Sequence, residues 1–189
     1  MPLIQPMHPA SPALDAPAGA RPFTLYLAGF GVFRPDAQSH GVALKALCRE
    51  YGLDGLYPLD NEAPAHLRGA ALAQWIYEAN VALIEQADGV LADMNPFRGR
   101  EPDSGTVFEV GYAIARGKPV WVYTGQSGTL VEQLGVGEDG SGPSRRHVDA
   151  DGFTVEDFGM NLNLMIACAA TVVVGDARQC LRQVVRDVR

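Results

Sequence analysis

Short apolar runs and longer amphipathic segments alternate along most of the chain. Five runs of apolar residues bounded by turn residues are typical of buried strands: residues 23–29, 53–59, 89–94, 120–123 and 171–175. Five segments with helical periodicity or helix start and stop residues predict helices: residues 36–52, 66–88, 104–118, 155–170 and 176–188. Strands that alternate with helices imply a parallel sheet covered on both faces.

The predicted fold class is α/β, a flavodoxin-like three-layer sandwich with a five-stranded parallel sheet in the order 2-1-3-4-5. In such sheets, ligands bind at the carboxyl ends of the strands, near the point where the strand order reverses. Three loops that contain glycine follow strands at this edge: residues 28–33, 95–103 and 124–127. We therefore expect these loops to form the functional site.

The chain divides into one domain and two weakly patterned regions. Residues 1–21 are rich in proline and alanine and predict a flexible arm. Residues 22–189 are expected to form a single domain. Within it, residues 126–152 end in a stretch rich in glycine, serine and charge, which predicts a long, mobile loop.

Composition and charge exclude several classes of function. The 189 residues carry 22 acidic and 15 basic side chains, a net charge of −7, which disfavours a general nucleic-acid binder or docking on anionic lipid. No apolar run approaches the roughly 20 residues of a membrane span. The beginning of the chain lacks signal-peptide features, and the three cysteines are widely spaced. Reduced thiols and a cytoplasmic location are expected.

Two common ligand motifs and the usual metal motifs are missing from the sequence. The turn after the first strand contains G-x-G but lacks the third glycine of the dinucleotide fingerprint, and no GxxxxGK[ST] phosphate loop is present. CxxC and HExxH patterns are also absent. We therefore expect neither a metal nor a nicotinamide cofactor.

The most informative polar residues lie near the start of the helix at 104–118. Glu109 lies among apolar neighbours, where a carboxylate is unfavourable unless it is paired. It either completes a capping box with Thr106 or faces the ligand edge, with Asp103 as the helix cap. If Asp103 and Glu109 both lie along the helix start, their Cα atoms are about 9 Å apart. That spacing accommodates a sugar.

Two further polar residues lie in predicted core positions. Asn80 falls on the apolar stripe of its helix, between Ile76 and Ile84, and is either a satisfied core residue or a ligand contact. Tyr26 lies within the first strand and is either an ordinary buried tyrosine or part of the site. The residues alone leave both alternatives open.

Together these residues resemble the nucleoside 2-deoxyribosyltransferase family. The matching pieces are TLYLAGFGVF, YPLDNE, IYEANVALIEQADGVLADMNPFRG, EPDSGTVFEVGYAIARGKPV and EDFGMNLNLM. They occur in family order and cover most of residues 23–175. The resemblance implies a flavodoxin-like fold, no cofactor, and transfer of 2-deoxyribose between nucleobases through a glutamate nucleophile. Free deoxyribose from hydrolysis is the expected side product.

The resemblance also implies residue roles. Glu109 matches the nucleophile, Asp103 the residue that holds the 5′-hydroxyl of the sugar, and Tyr26 the tyrosine that positions the nucleophile. Asn163 matches a residue that completes the pocket of a neighbouring subunit. A homo-oligomer of at least two chains is therefore expected, with a deoxynucleoside and a free nucleobase as its partners.

The remaining expected substrate contacts come from several loops and from one helix. They are Gly29, Asp60, Glu62, Asn80, Asp93 and Gly105. Some family members have an aspartate at the position of Asn80, where it is thought to give a proton to the leaving base. An amide cannot be that acid, so the candidates for the proton donor are Asp60, Glu62, Asp93 and water.

Two other functions are compatible with the same residues. One is a nucleoside 5′-monophosphate N-glycosidase, and the other is a nucleotide-sensing module without turnover. Asp103 and Glu109 disfavour pure sensing, because a binding pocket has no need for a nucleophile. Asp103 also favours a nucleoside over a nucleotide, because a carboxylate accepts from a hydroxyl and repels a phosphate.

Overall fold

The fold is built on a central sheet of five parallel strands. The computed structural model describes residues 21–142 and 145–189. Its strands are β1 (Thr24–Ala28), β2 (Asp54–Leu56), β3 (Gly89–Asp93), β4 (Val120–Thr124), β5 (Gly137–Asp139), β6 (Arg146–Val148) and β7 (Thr171–Val174). The main sheet has the order β2-β1-β3-β4-β7 with every pair parallel. Because β7 is its fifth strand along the chain, the predicted flavodoxin-like order is confirmed.

Helices cover both faces of this sheet. They are α1 (Ala37–Glu50), α2 (Gly69–Gln86), α3 (Ser104–Ala115), α4 (Leu130–Leu134), α5 (Leu164–Ala167) and α6 (Ala177–Asp187). Single 3₁₀ turns follow β1 at Phe30–Phe33 and β2 at Pro58–Asp60. None of the helices in the described part of the chain combines the length and apolar character needed to cross a membrane.

Alternation along the strands divides the interior into two cores. In β1, Leu25 and Leu27 pack on the side of α1 and α6, whereas Tyr26 and Ala28 pack on the side of α2 and α3. Successive side chains of a strand point to opposite faces, so this division follows directly from the order of residues. It places the Tyr26 side chain on the face that carries α3.

The helix predicted at residues 155–170 is wrong over most of its length, because only Leu164–Ala167 is helical. Gly159 has a φ of 69°, which does not fit a right-handed helix. The Glu156 carboxylate accepts hydrogen bonds from the backbone N–H of Leu164 and from the Asn163 side chain. Asn163 in turn caps α5. Glu156 thus binds the start of a short helix instead of continuing a long one.

The segment 126–152 contains more secondary structure than the sequence pattern suggested. Residues Thr129 and Glu132 form a capping box that begins α4, and β5 and β6 pair as an antiparallel hairpin. Its mobility stays a prediction. The predicted arm at 1–21 lies outside the described residues except for Arg21, which forms an ion pair with Asp88.

Candidate active site

The Glu109 carboxylate lies in the first half of α3 and receives two hydrogen bonds from other elements. The hydroxyl of Tyr26, on β1, donates to Glu109 Oε1 at 2.6 Å. The amide Nδ2 of Asn80, on α2, donates to the same oxygen at 3.4 Å. Both donors therefore orient Oε1, while Oε2 accepts no hydrogen bond from any residue in 21–142 or 145–189.

The surroundings of Glu109 change its acidity. Burial raises the pKa of Glu109 to about 7 from its ordinary value of 4.5. The hydrogen bonds from Tyr26 and Asn80 oppose this rise in pKa, and the like charge of Asp103 adds to it. Burial, together with the negative charge of Glu109, also raises the pKa of Tyr26 above its usual range. The phenol is therefore a permanent donor, and the carboxyl group titrates near neutral pH.

Asp103 begins the helix that carries Glu109. Its Oδ2 accepts hydrogen bonds from the backbone N–H of Thr106 at 2.9 Å and from the Thr106 hydroxyl at 3.0 Å. The alternative capping box of Thr106 with Glu109 is therefore wrong, because Thr106 lies inside the first turn and bonds to Asp103. Oδ1 of Asp103 has no hydrogen-bond donor in the described ranges, so it is free to accept from a ligand.

A cavity of about 670 Å³ opens beside these two carboxylates. Six of the expected site residues line it: Gly29, Glu62, Asn80, Asp103, Gly105 and Glu109. Its apolar wall comes from the turn after β1, the turn after β2 and the exposed edge of α2: Val32, Phe33, Pro58, Leu59, Ala63, Trp75, Ile76 and Ala79. One side is thus polar and carries the Glu109 carboxylate, and the other side is formed by apolar side chains.

Comparison with known proteins shows the family to which this chain belongs. A family model described as nucleoside 2-deoxyribosyltransferase matches residues 25–165. The chain belongs to the nucleoside 2-deoxyribosyltransferase family. The matched range contains Tyr26, Asn80, Asp103 and Glu109, and it ends just after the cap of α5. The resemblance seen in the sequence is therefore confirmed.

Relatives of known structure share the fold of this family. A 2-desoxiribosyltransferase from Leishmania mexicana is 33% identical with a TM-score of 0.70, covering 87% of this chain and 98% of its own. A 2-deoxyribosyltransferase from Bacillus psychrosaccharolyticus is 18% identical, with a TM-score of 0.53 and coverages of 82% and 87%. This second likeness supports the fold alone.

A curated relative matches over a shorter stretch. An uncharacterized protein from Schizosaccharomyces pombe is 38% identical over 104 residues, which is 53% of this chain and 49% of the yeast protein. The chain thus spans about half the length of that relative.

Two acidic residues expected at the substrate do not line the cavity. Asp60 accepts a hydrogen bond from the backbone N–H of Tyr57 at 2.9 Å and forms an ion pair with Lys45. Asp93 accepts from both the backbone and the side chain of Asn95, at 3.0 and 2.7 Å. Both carboxylates therefore have local structural partners, and their contact with a substrate stays a prediction.

Two glycines, Gly29 and Gly105, allow close approach of neighbouring groups at the edge of the cavity. Gly29 has a φ of 152°, and a Cβ there would lie 2.9 Å from the Cβ of Asp93 on the neighbouring strand. A side chain at Gly29 would thus be strained and would also collide with β3. At Gly105 a Cβ would lie 3.1 Å from Asp103 Oδ2, which would crowd the helix cap. Both glycines allow the cavity wall to be made of backbone.

Asn163 lies in a different place from Glu109 within one chain. It lines a separate cleft of about 260 Å³ together with Pro102, Leu130 and Asn161. Its Nδ2 donates to Glu156 at 2.7 Å, and its Oδ1 caps α5 by accepting from the Met165 backbone at 3.0 Å. Completion of a neighbouring pocket by Asn163 therefore stays a proposal.

Sequence reasoning missed the apolar wall of the cavity. Phe33, Leu59 and Trp75 come from three separate segments. Phe33 is 55% exposed, and single exposed apolar side chains are common on globular domains. The sequence pointed to one residue of this wall, because Phe33 ends the first stretch that matches the family pattern. Nothing in the spacing of Trp75 on α2 distinguished it from a surface residue.

Proposed function

We propose that this protein transfers 2-deoxyribose from one nucleobase to another through a covalent sugar intermediate on Glu109. The arrangement around Glu109 carries this proposal, because Tyr26 and Asn80 both orient Oε1 and leave Oε2 open. The neighbouring cavity is lined by the Asp103 carboxylate, which can bind a sugar hydroxyl, and by an apolar wall, which can hold a base. Such a pair of features suits cleavage of an N-glycosidic bond.

The first step breaks the bond between C1′ of the sugar and a nitrogen of the base. The bonding electron pair leaves with the base, and the sugar becomes oxocarbenium-like. Oε2 of Glu109 then donates an electron pair to C1′ and forms an ester. In the second step a ring nitrogen of the acceptor base forms a bond to C1′, and the bond between C1′ and Oε2 breaks. The group that gave a proton to the first base takes up the proton that the acceptor nitrogen loses. Two inversions at C1′ give net retention. Water as the attacking group gives hydrolysis as a side reaction.

The leaving base must gain a proton in the first step. Asn80 has no acidic proton to give at neutral pH. Of the three carboxylates considered for this role, Asp60 and Asp93 have local partners. Glu62 lines the cavity, which supports Glu62, or water next to it, as the proton donor.

Glu109 must be ionised when it attacks. Since burial raises the pKa of Glu109 to about 7, a part of the free protein is protonated at neutral pH. Ionisation is favoured by Tyr26 and by the positive end of the α3 dipole. We infer that kcat/KM rises with pH through about 7 and then levels off until another group titrates.

We further propose that the active form contains at least two chains. In the family pattern, Asn163 belongs to the pocket of an adjacent subunit, and in this chain it lines a cleft apart from Glu109. Two-fold dimers are the commonest such assembly. The role is nucleotide salvage with no cofactor. The three free thiols fit a cytoplasmic setting.

The sugar is expected to carry a free 5′-hydroxyl. Asp103 Oδ1 can accept from a hydroxyl, whereas a 5′-phosphate would bring like charge beside it. At about 4 Å and an effective dielectric near 20, each like-charge pair costs up to about 4 kcal/mol before screening. Arg100 donates to the backbone oxygen of Gln133 at 2.6 Å, so it is engaged away from this position.

This preference is tested by comparing deoxyadenosine with its 5′-monophosphate. The parent protein should use the nucleoside with a higher kcat/KM, and Asp103→Ser should narrow or reverse that preference. Serine keeps the helix cap, so the change isolates the charge. Equal or better use of the monophosphate by the parent would favour a nucleoside 5′-monophosphate N-glycosidase.

The central test is incubation with deoxyinosine and adenine. Deoxyadenosine marks a transferase, and free deoxyribose marks a hydrolase. The expected result is deoxyadenosine as the main product with some deoxyribose. If neither product forms, the result contradicts the proposal and favours a nucleotide-sensing module.

A further inference from the structure

Three aromatic rings form a continuous stack at the carboxyl edge of the sheet. The ring of Phe97 lies between those of Phe30 and Phe33, with centroid distances of 5.0 and 5.3 Å. The interplanar angles are 12° and 11°, so all three rings are nearly parallel. Phe30 and Phe33 belong to the turn after β1, and Phe97 belongs to the loop after β3.

The stack is a side-chain contact between the loop after β1 and the loop after β3. Residues 30–35 and residues 94–102 share no hydrogen bond within the described part of the chain. Each loop also supplies one part of the cavity. Phe33 forms part of its apolar wall, and the loop after β3 leads directly into Asp103. The stack is therefore a direct contact between the loop that carries Phe33 and the loop that leads to Asp103.

Arg98 lies against two rings of this stack. Its guanidinium carbon lies 4.6 Å from the ring centroid of Phe97 and 5.1 Å from that of Phe33. Arg98 has a φ of 54° and is the one non-glycine residue with positive φ among residues 21–142 and 145–189. Such a conformation persists only where surrounding contacts hold it. The contacts that Arg98 makes with the two rings serve this purpose.

The position of the loop after β3 bears on Asp103, because one carboxylate oxygen of Asp103 caps α3 and the other is open to a ligand. Its Oδ2 is bound by Thr106 inside α3, so the helix fixes that end of the residue. On the N-terminal side of Asp103, residues 97–102 lead the chain into the helix. The backbone N–H of Phe97 donates to the Glu101 oxygen at 3.0 Å, which closes these residues into one tight unit. The turn that carries the Phe97 ring thus ends directly before Asp103.

We propose that Phe97 is a positioning residue, which sets the distance between the Phe33 wall and Asp103 and so determines recognition of the sugar's 5′-hydroxyl. The inference rests on the proposed function of the cavity. Phe97 itself does not line the cavity, so its effect on substrate passes through Phe33 and Asp103. It is therefore a specificity determinant that acts by geometry.

The test compares deoxyadenosine with 2′,5′-dideoxyadenosine, which lacks only the 5′-hydroxyl. The parent protein should prefer deoxyadenosine at least tenfold in kcat/KM. Phe97→Ala should reduce this ratio at least fivefold, and Phe97→Tyr should restore it because the ring is retained. Phe153→Ala, a change at a 72% exposed ring on another segment, should leave the ratio unchanged.

A merely structural role would lower activity toward both substrates alike and leave the ratio as in the parent, which would overturn the inference. Asp103→Ala should abolish the preference, and adding Phe97→Ala to it should lower the ratio no further. A further fall in the double variant would also contradict the proposal. If Phe97→Ala does not fold, Phe97→Leu keeps the apolar volume without the flat ring and serves in its place.

The result separates this inference from the proposed function. A parent protein that exchanges no bases contradicts the proposed function itself. A parent that exchanges bases but does not discriminate the 5′-hydroxyl overturns the positioning role of Phe97. A parent that does both, with an unchanged ratio in Phe97→Ala, overturns only the positioning role.

Discussion

The cavity at Glu109 and the cleft at Asn163 use polar side chains in opposite ways. At Glu109, donors from β1 and α2 converge on one carboxylate oxygen and leave the other open toward a cavity of about 670 Å³. At Asn163, both ends of the amide are engaged by the protein itself, with Glu156 and the Met165 backbone. The first region is prepared for a ligand, and the second is satisfied within the chain.

This difference separates two levels of organisation. The Glu109 region is assembled by one chain, since the parallel sheet brings β1 beside β3 and the start of α3. The Asn163 region follows the β5–β6 hairpin along the chain, and its neighbours Leu162 and Ile166 are buried in the core on the α2 and α3 side of the sheet. In the proposed function, Asn163 therefore acts in the pocket of a second chain, whereas Glu109 acts in the pocket of its own chain.

The largest expected effect is loss of the nucleophile. Glu109→Gln keeps the size of the side chain and can still accept from Tyr26, but it removes the anionic oxygen. We expect at least a hundredfold loss of turnover, on the order of 3 kcal/mol in the barrier. The measurement is base exchange between deoxyinosine and adenine. Glu78→Gln, on the exposed part of α2, is the control and should stay within about twofold of the parent. Near-parent exchange by Glu109→Gln would refute the nucleophile assignment.

The same substitution should stabilise the protein at alkaline pH. Because the pKa of Glu109 is raised to about 7 in the folded state, the folded protein binds more protons than the unfolded chain between about pH 4.5 and 7. Stability conferred by the site therefore falls as pH rises through this window. Glu109→Gln removes this pH-dependent loss of stability. At pH 8 it should therefore raise the free energy of unfolding by about 3 kcal/mol, since each unit of pKa shift corresponds to about 1.4 kcal/mol.

At pH 4.5 the gain from Glu109→Gln should be small, because the parent carboxyl is already protonated. Urea unfolding at both pH values measures the difference. Glu78→Gln should show no comparable pH dependence, since Glu78 lies exposed on α2. A gain of equal size at both pH values would mean that the charge of Glu109 is not its cause.

Substitution of Asn163 tests the second region. Asn163→Ser keeps a helix cap for α5 but removes the amide that would reach a neighbouring pocket. We expect about a tenfold loss of kcat/KM, on the order of 1.4 kcal/mol, with little change in melting temperature. An equal loss of stability and activity would indicate that Asn163 acts only as the cap.

Mixing variant chains sharpens this test. In a mixed dimer of Glu109→Gln and Asn163→Ser chains, one of the two sites has both native residues. Activity should therefore rise several-fold above the average of the separate variants once subunits exchange. A fully active monomer at assay concentration would contradict the shared site.

The smallest expected effect comes from Tyr26→Phe. The Tyr26 hydroxyl lowers the pKa of Glu109, so its removal should shift the rise of kcat/KM to higher pH. At pH 7 we expect about a fivefold loss, or about 1 kcal/mol, with partial recovery at pH 9. Tyr112→Phe removes an exposed hydroxyl that donates to Glu85 and should leave the profile unchanged. A uniform loss at all pH values would rule out this role.

Much of the region around Glu109 could be predicted from local sequence patterns. The alternation along β1 predicts the face of Tyr26, and the polar residues before α3 predict a cap at Asp103. The position of Asn80 on the apolar stripe of its helix indicates a contact with the interior. These features depend on strand and helix periodicity, which neighbouring residues determine. The relation of Glu109 to Thr106 was the open point, and the contact with Tyr26 resolves it.

The segment after α4 was much less predictable. Residues 155–163 contain residues that are compatible with a helix, but Glu156 binds the start of α5 instead. That choice depends on a carboxylate and a backbone N–H eight positions apart, which no local propensity encodes. The Phe97 stack is a similar case, because Phe30 and Phe97 meet only when β1 and β3 pair.

By itself, the sequence determined the order of the five strands in the main sheet, the helices α1, α2, α3 and α6, and the membership of the family. These properties come from periodicity and from motifs within short stretches of chain. Only the tertiary structure decided that Tyr26 and Asn80 bind the same oxygen of Glu109, and that Asp60 and Asp93 have local partners. It also decided that Phe33, Leu59 and Trp75 form one wall. Contacts between distant residues depend on how the layers pack, and packing depends on the whole chain at once.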